Sequence, residues 1–361
     1  MIGQLAVFGL AAAAGVAAAG AGGWRAAVGS TADYDRWAAG LRAWRAPPAE
    51  VAELVRLAAL APNGHNTQPW RFRVGDGRIE ILPDLARRTP VVDPDDHHLW
   101  TSLGAAAETL AVAGVALGRP GEVEAEGEGI AYVHGAGAAR PHPLAAAIGR
   151  RQTTRADYDC RPLAAEDAAA LAAAAALPGV RIVLVTEPAA MGRLRDLVVA
   201  GNDVQMGDAA FMAELAAWIR FNPRTAMATG DGLYAGASGN PSIPTWLGRS
   251  ILPRIMTPAS EAARFARQMQ TSAGCAVVFA EEAGPRGWIQ VGRACQRFAL
   301  AATTRDIRMS FVNQPVEVAA LRPELAALAG EPGQRPDLLI RFGFGPLLPF
   351  SPRRPVADVL A

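Results

Sequence analysis

The sequence predicts an α+β protein made of two packed units. The chain has 361 residues, 51% of them hydrophobic, too many for one small domain and enough to bury a sizeable core. Segments with apolar residues at helical spacing alternate with short strand-like runs, two of which flank a hairpin turn at Gly75-Asp76-Gly77. The same order of elements recurs after Pro143. The expected organisation is a leader at 1–23, a first half at 24–142 and a second half at 143–361 with a lid-like insertion at 222–258.

From Ile2 to Gly23 there is no charge, and Ala, Gly and aliphatic residues dominate. Such a run reads as the apolar core of an export signal or as an uncleaved anchor. The expected location is then the periplasm or cell envelope, or a membrane surface reached through residues 2–23; without signal activity it is the cytoplasm. Residues 24–48 carry Trp24, Trp37 and Trp44 and read as a lead-in helix stopped by Pro47-Pro48. Ala49 to Leu60 places Val51, Leu54, Val55, Leu57 and Ala58 on one helical face and ends before Pro62. Strands are expected at Arg71 to Val74 and Arg78 to Leu82, because glycines permit the positive φ angles of a tight hairpin. A long helix from about His98 to Leu117 ends at Gly118-Arg119-Pro120.

The second unit opens with a helix at Leu144 to Arg151, followed by a helix at Ala165 to Leu177 and a strand at Arg181 to Val185. Later come a helix at Ile289 to Thr303 and strands at Met309 to Val312 and Leu338 to Phe342. Residues 222–258 are rich in Pro and Gly, which predicts irregular structure acting as a lid or a surface excursion, with Trp246 and Leu247 needing burial.

Composition narrows the function. With 35 basic and 34 acidic residues the formal net charge is +1, so no basic field favours a nucleic-acid partner. Cys160, Cys275 and Cys295 lie far apart without a C-x-x-C pair, so they read as small buried hydrophobes rather than as a disulfide framework or a zinc cluster. Asp93, Asp95, Asp96, His97 and His98 could ligate a metal and serve a hydrolase. Adjacent histidines at a helix start point apart, however, and acidic residues there cap the helix, so no metal ligands are assigned. Gly343 and Gly345 lack the strand-to-helix setting and third glycine of a dinucleotide fingerprint.

Three motifs carry chemistry. Ala61-Pro62-Asn63-Gly64-His65-Asn66-Thr67-Gln68-Pro69-Trp70 lies between a helix end and a strand start. Its carboxamides suit the edge of a planar heterocycle, and equally a capped turn anchored by Trp70. Arg150-Arg151-Gln152-Thr153-Thr154-Arg155 clusters guanidinium groups with hydroxyls, a set that binds a phosphate monoester by charge-assisted bonds or forms a solvated basic helix end. Ser351-Pro352-Arg353-Arg354-Pro355 holds two arginines in an extended arm.

The first motif resembles the A-P-S-x-x-N-x-Q-P-W signature of the nitroreductase family, the second resembles its R-R-S-x-R element, and the third its terminal basic segment. Asn63 stands where the family has Ser, so one hydroxyl contact is not carried over. The resemblance implies a nitroreductase-like, FMN-dependent fold of two fused half-units, each a β-sheet packed with helices. It assigns Pro62, Asn63, Gly64, Asn66 and Gln68 to the flavin ring and ribityl chain, and Arg150, Arg151, Thr153, Arg155, Arg353 and Arg354 to its phosphate. The first half has the carboxamide loop without the arginine element, and the second has the reverse. Complementary losses of this kind resemble the Acg-like subfamily, whose members are internal pseudo-dimers with one FMN under a lid.

The implied activity is electron transfer from NAD(P)H through FMN to a small nitroaromatic or quinone-like acceptor, with no protein group assigned as catalytic. The other reading is a flavin-sequestering or storage protein whose lid-covered FMN turns over little. Both leave room for two such chains to pair as a homodimer of pseudo-dimers.

Overall fold

A computed structural model describes residues 23–45, 50–126 and 129–361, with the side chains of 125 and 126 left aside. The apolar leader up to residue 22 and the Pro47-Pro48 stop lie outside the described residues.

The chain enters through α1 (Thr31–Arg42), whose N-cap Ser30 accepts a hydrogen bond from the Asp33 amide. After α2 (Val51–Ala58) come β1 (Trp70–Gly75) and β2 (Arg78–Pro83), paired antiparallel through a two-residue Asp76-Gly77 turn. Gly77 sits at φ 65°, the left-handed region such a turn demands. Trp70 and Phe72 face the core while Arg71 and Arg73 face out, the period-2 pattern of a half-buried strand. α3 (His97–Ala116), β3 (Gly121–Glu126) and β4 (Gly129–His134) follow. The first sheet has the order β1-β2-β4-β3 and is antiparallel throughout.

The remainder begins with α4 (Ala165–Ala175), β5 (Val180–Val185), α5 (Pro188–Gly207) and α6 (Ala209–Trp218). β6 (Ile219–Arg220), α7 (Pro223–Thr229), β7 (Leu233–Tyr234), α8 (Thr245–Ile255) and α9 (Pro258–Gln270) come next. β8 (Gly274–Ala280), α10 (Pro285–Thr304), β9 (Arg308–Phe311) and β10 (Pro336–Gly343) complete a second antiparallel sheet of order β5-β8-β10-β9.

α3 and α10 pack together between the sheets, and their approach is set by two glycines. A Cβ on Gly104 would lie 2.1 Å from the Ile289 carbonyl oxygen, and one on Gly292 would lie 1.9 Å from that of Thr101. The helices therefore touch backbone to backbone. Beside this contact the buried Glu108 carboxylate accepts from Arg293 Nε at 2.9 Å and Arg297 Nη1 at 3.0 Å. One continuous apolar cluster includes Phe72 and Ile79 of the first sheet, Leu103 and Phe298 of the helix pair, and Ile340 of the second sheet.

Several expectations are corrected. Residues 222–258 are mainly short helices, because several of their breakers occupy helix boundaries, while Pro253 lies inside α8. Pro223 starts α7, Gly230 caps its end at φ 63°, and Pro258 starts α9. Trp246 is 69% exposed rather than buried. The helix expected at Leu144 to Arg151 is a single turn at Ala145–Ala147. α5, α6, α9 and β8 had no counterpart in the sequence reading. Cys275 and Cys295 are buried, but Cys160 is exposed and has φ 62°.

Candidate functional site

The loop after α2 is strained and locked. His65, Asn66 and Gln68 all have positive φ, at 45°, 55° and 54°, which non-glycine residues adopt only when surrounding bonds over-determine them. Those bonds are present. Asn63 Oδ1 accepts from the Gln68 amide at 2.8 Å. Asn66 Nδ2 donates to the carbonyls of Gly232 and Pro352, each at 3.0 Å, and its Oδ1 accepts from Arg353 Nη1 at 2.6 Å. Gln68 Nε2 donates to Gly230 O at 2.8 Å while its Oε1 accepts from the Arg354 amide at 2.9 Å. The loop thus binds the 222–258 segment and the C-terminal arm through its carboxamides.

The arginine element lies against this loop. Thr154 N donates to Met309 O at 2.8 Å, which holds residues 153–154 beside β9. Arg341, fully buried on β10, donates to the carbonyls of Thr154 at 3.2 Å, Ala156 at 2.6 Å and Gln268 at 3.0 Å. Gln268 Nε2 in turn donates to Arg155 O at 2.8 Å, so the backbone presenting Thr153 and Arg155 is braced from below.

Between the two motifs opens a small, solvent-connected cavity. Pro62, Asn63 and Asn66 line one side, Arg151, Gln152, Thr153 and Arg155 another, and Phe350, Ser351 and Arg353 a third. Arg42 at the end of α1 completes the wall. Its Nη2 donates to Ser351 O at 2.9 Å and its guanidinium lies 4.3 Å over the Phe350 ring.

No carboxylate lines this cavity, and among the described residues none of Arg42, Arg151, Arg155 and Arg353 forms an ion pair. Arg151 donates to Leu60 O at 2.9 Å, yet its Nε and Nη1 are buried without a partner, as is Arg353 Nε. Burial pushes Arg42 down to about 9 and Arg151 and Arg155 down to about 10. Arg353 is lowered well below its ordinary range by burial, with Arg42 and Arg151 adding repulsion. Because a guanidinium keeps its proton, these directions measure poorly solvated positive charge that an anion would relieve.

Of the residues singled out in the sequence, the structure brings Pro62, Asn63, Asn66, Arg151, Thr153, Arg155 and Arg353 to one cavity. It does not bring four others there. Gln68 is wholly buried and spent on Gly230 and Arg354. Arg150 pairs with Asp306 at 2.9 Å on the surface, and Arg354 points to Asp358 and Asp84. Gly64 lines a small neighbouring hollow with Arg87, Arg88 and His98. Sequence reasoning missed Arg42, Gln152, Phe350 and Ser351. For Gln152 and Ser351 the signal was their place inside motifs already chosen. Arg42 had none.

The acidic and histidine cluster serves the start of α3. Both Asp93 oxygens accept backbone amides, from His98 at 2.9 Å and Leu99 at 3.0 Å. The His97 and His98 rings are tilted by 51° with centroids 4.6 Å apart, and they do not point apart as expected, since Asp93, His97 and His98 each bring a ligand atom within 4.8 Å of the others; their Nε2 atoms lie 3.2 Å from Asp337 and 3.4 Å from Glu317.

No protein-family model matches the chain. It is 29% identical over 333 residues to a protein of Mycobacterium tuberculosis H37Rv named "Putative NAD(P)H nitroreductase", covering 87% of this chain and 92% of that one. The counterpart from strain CDC 1551 / Oshkosh matches with the same identity and coverage. Among solved structures, an FMN-bound nitroreductase of Desulfitobacterium hafniense overlaps 60% of this chain and 94% of its own, at 17% identity and a TM-score of 0.39. The FMN-dependent nitroreductase NfnB of Mycobacterium smegmatis, in complex with NADPH, overlaps 60% and 96% at 15% identity and the same score. Those overlaps add nothing about the site. What defines the site in this chain is its own geometry, a loop after α2 facing an arginine element more than eighty positions later.

Proposed function

We propose that this cavity binds FMN through its phosphate and that the chain is a nitroreductase-type oxidoreductase, passing electrons from NAD(P)H to a nitroaromatic or quinone-like acceptor. The observation that carries the reading is the set of buried arginines facing one cavity without a counter-charge. Curated relatives described as NAD(P)H nitroreductases support the same family and the same reductant. When bound, FMN supplies the hydride-accepting chemistry.

The chain's residues do the holding. Arg151, Arg353 and Arg155 direct donors to the phosphate, and Thr153 adds a hydroxyl. Asn63 and Pro62 form the opposing wall. Asn66 acts through Arg353, whose guanidinium it orients at 2.6 Å. Since the loop comes from the first half and the 150–155 arginine element and Arg353 from the second, the cavity supports a single composite site in a fused, Acg-like pair. The proposed location is the cell envelope or a membrane surface reached through residues 2–23.

The test is the visible spectrum of the purified protein, with flavin released by heat and identified. One FMN per chain, lost when Arg151 and Arg155 are both replaced by Ala, is the expected result. Folded protein that stays colourless after FMN is added overturns the proposal. Turnover with NADPH and a nitroaromatic then separates an oxidoreductase from a flavin store.

A further inference from the structure

The cavity's fourth arginine lies outside every motif. Arg42 is 7% exposed at the C-terminal end of α1, a helix whose contacts are to the segments that frame the cavity. Tyr34 packs on Tyr234 with ring centroids 4.4 Å apart, and its hydroxyl donates to Phe350 O at 2.6 Å. Ala38 joins the same small cluster with Ala226 and Ala237. Arg42 reaches the arm at Ser351 O, and Arg56 holds the following turn through the carbonyls of Leu41 and Ala43. Docking of α1 therefore brings a cation into a cavity that already holds Arg151 and Arg353, and no carboxylate receives it. Without an anion the docked helix is opposed by like charge; with one, the same charge becomes an attraction.

We infer that Arg42 is a phosphate-binding residue of this site, and that docking of α1 on the 222–258 segment and anion binding are one coupled equilibrium. The inference rests on the flavin reading for the identity of the ligand, but the coupling requires only an anion. An anion that binds the docked form alone stabilises it by RT ln(1 + [L]/Kd), growing with anion concentration. The latch should close for FMN and for inorganic phosphate, and not for riboflavin, which lacks the phosphate.

The experiment compares the full chain with Arg42→Gln and Arg42→Lys. Affinities for FMN and riboflavin are read by quenching of flavin fluorescence, and hydrogen exchange of residues 31–42 is followed with FMN, riboflavin or inorganic phosphate. Arg42→Gln is expected to weaken FMN binding by about 10- to 100-fold, the loss of one charge-assisted contact, while riboflavin binding is unchanged and Arg42→Lys restores most of the affinity. Exchange in 31–42 should slow with FMN or phosphate in the parent chain only. Equal FMN affinity in parent and Arg42→Gln, or exchange in 31–42 indifferent to both anions, overturns the inference. If the parent chain binds no FMN, the flavin reading fails separately, and the phosphate arm decides the coupling.

Discussion

Arg353 Nη1 donates to Asn66 Oδ1 across 2.6 Å, joining the C-terminal arm to a loop 287 positions earlier. The same carboxamide donates to Gly232 O and Pro352 O, so one buried side chain ties the loop, the 222–258 segment and the arm together. Arg353 completes the knot by donating to Leu60 O at 3.0 Å and Ala61 O at 3.1 Å.

Replacing Asn66 with Ala removes the side-chain donor to Gly232 O and one of two donors to Pro352 O, and leaves Arg353 Nη1 only its bond to Pro352 O. We expect a stability loss of about 2–3 kcal/mol. Urea unfolding checks this: the midpoint should fall while the slope is unchanged. An unaltered midpoint would show that the knot is not holding the segments.

Arg341 does not line the arginine-rich cavity, yet its guanidinium braces the backbone between Thr154 and Ala156 and lies 4.0 Å over the Tyr158 ring. Arg341→Leu should lower stability by about 3 kcal/mol through lost hydrogen bonds, above all the one to Ala156 O, since Thr154 O and Gln268 O keep other donors. It should also weaken FMN binding more than riboflavin binding, since the disturbed segment presents Thr153 and Arg155. Equal losses for the two flavins would assign Arg341 a purely structural role.

The contact between α3 and α10 leaves no room at Gly292, where a Cβ would fall 1.9 Å from Thr101 O. Gly292→Ala must push two backbones apart, at a cost of about 3 kcal/mol or more. Thermal unfolding should show the loss, whereas Ala at the open position Gly192 should leave the midpoint nearly unchanged.

His98 and Glu317 give a pH-dependent term. Burial disfavours both charges, but the hydrogen bond and mutual attraction prevail, so His98 is raised from 6.5 and Glu317 lowered from 4.5. The histidine's contribution is complete below its unfolded value and lost as pH rises through its raised folded value. The carboxylate's is present above its unfolded value and lost as pH falls through its lowered folded value. Glu317→Gln should therefore cost most between roughly pH 4.5 and 6.5, about 1–2 kcal/mol, and less near pH 8. Denaturant titrations at several pH values test this; a penalty constant across them would contradict it.

Much of the fold was legible because it is written in local patterns. Gly75-Asp76-Gly77 announces its hairpin, and the apolar repeat from His98 to Leu117 announces α3. The excursion at 222–258 was misread because Pro and Gly mark both loops and the ends of short helices, and only caps in place distinguish the two. Neither α5 nor β8 carries any of the three motifs.

The sequence by itself determined which residues carry positive charge and which carry carboxamides, and that Arg151, Thr153 and Arg155 stand close together, since chemistry and short spacing are properties of the chain. Only the tertiary structure decided which way those groups face. It turned the carboxamides of Asn66 and Gln68 onto Gly232 and Gly230, sent Arg150 to the surface, and carried Arg42 into the cavity from a helix without a motif. The physical reason is that a buried polar group must find its partner wherever the closed chain places one, and here the partners lie 162 to 287 positions away.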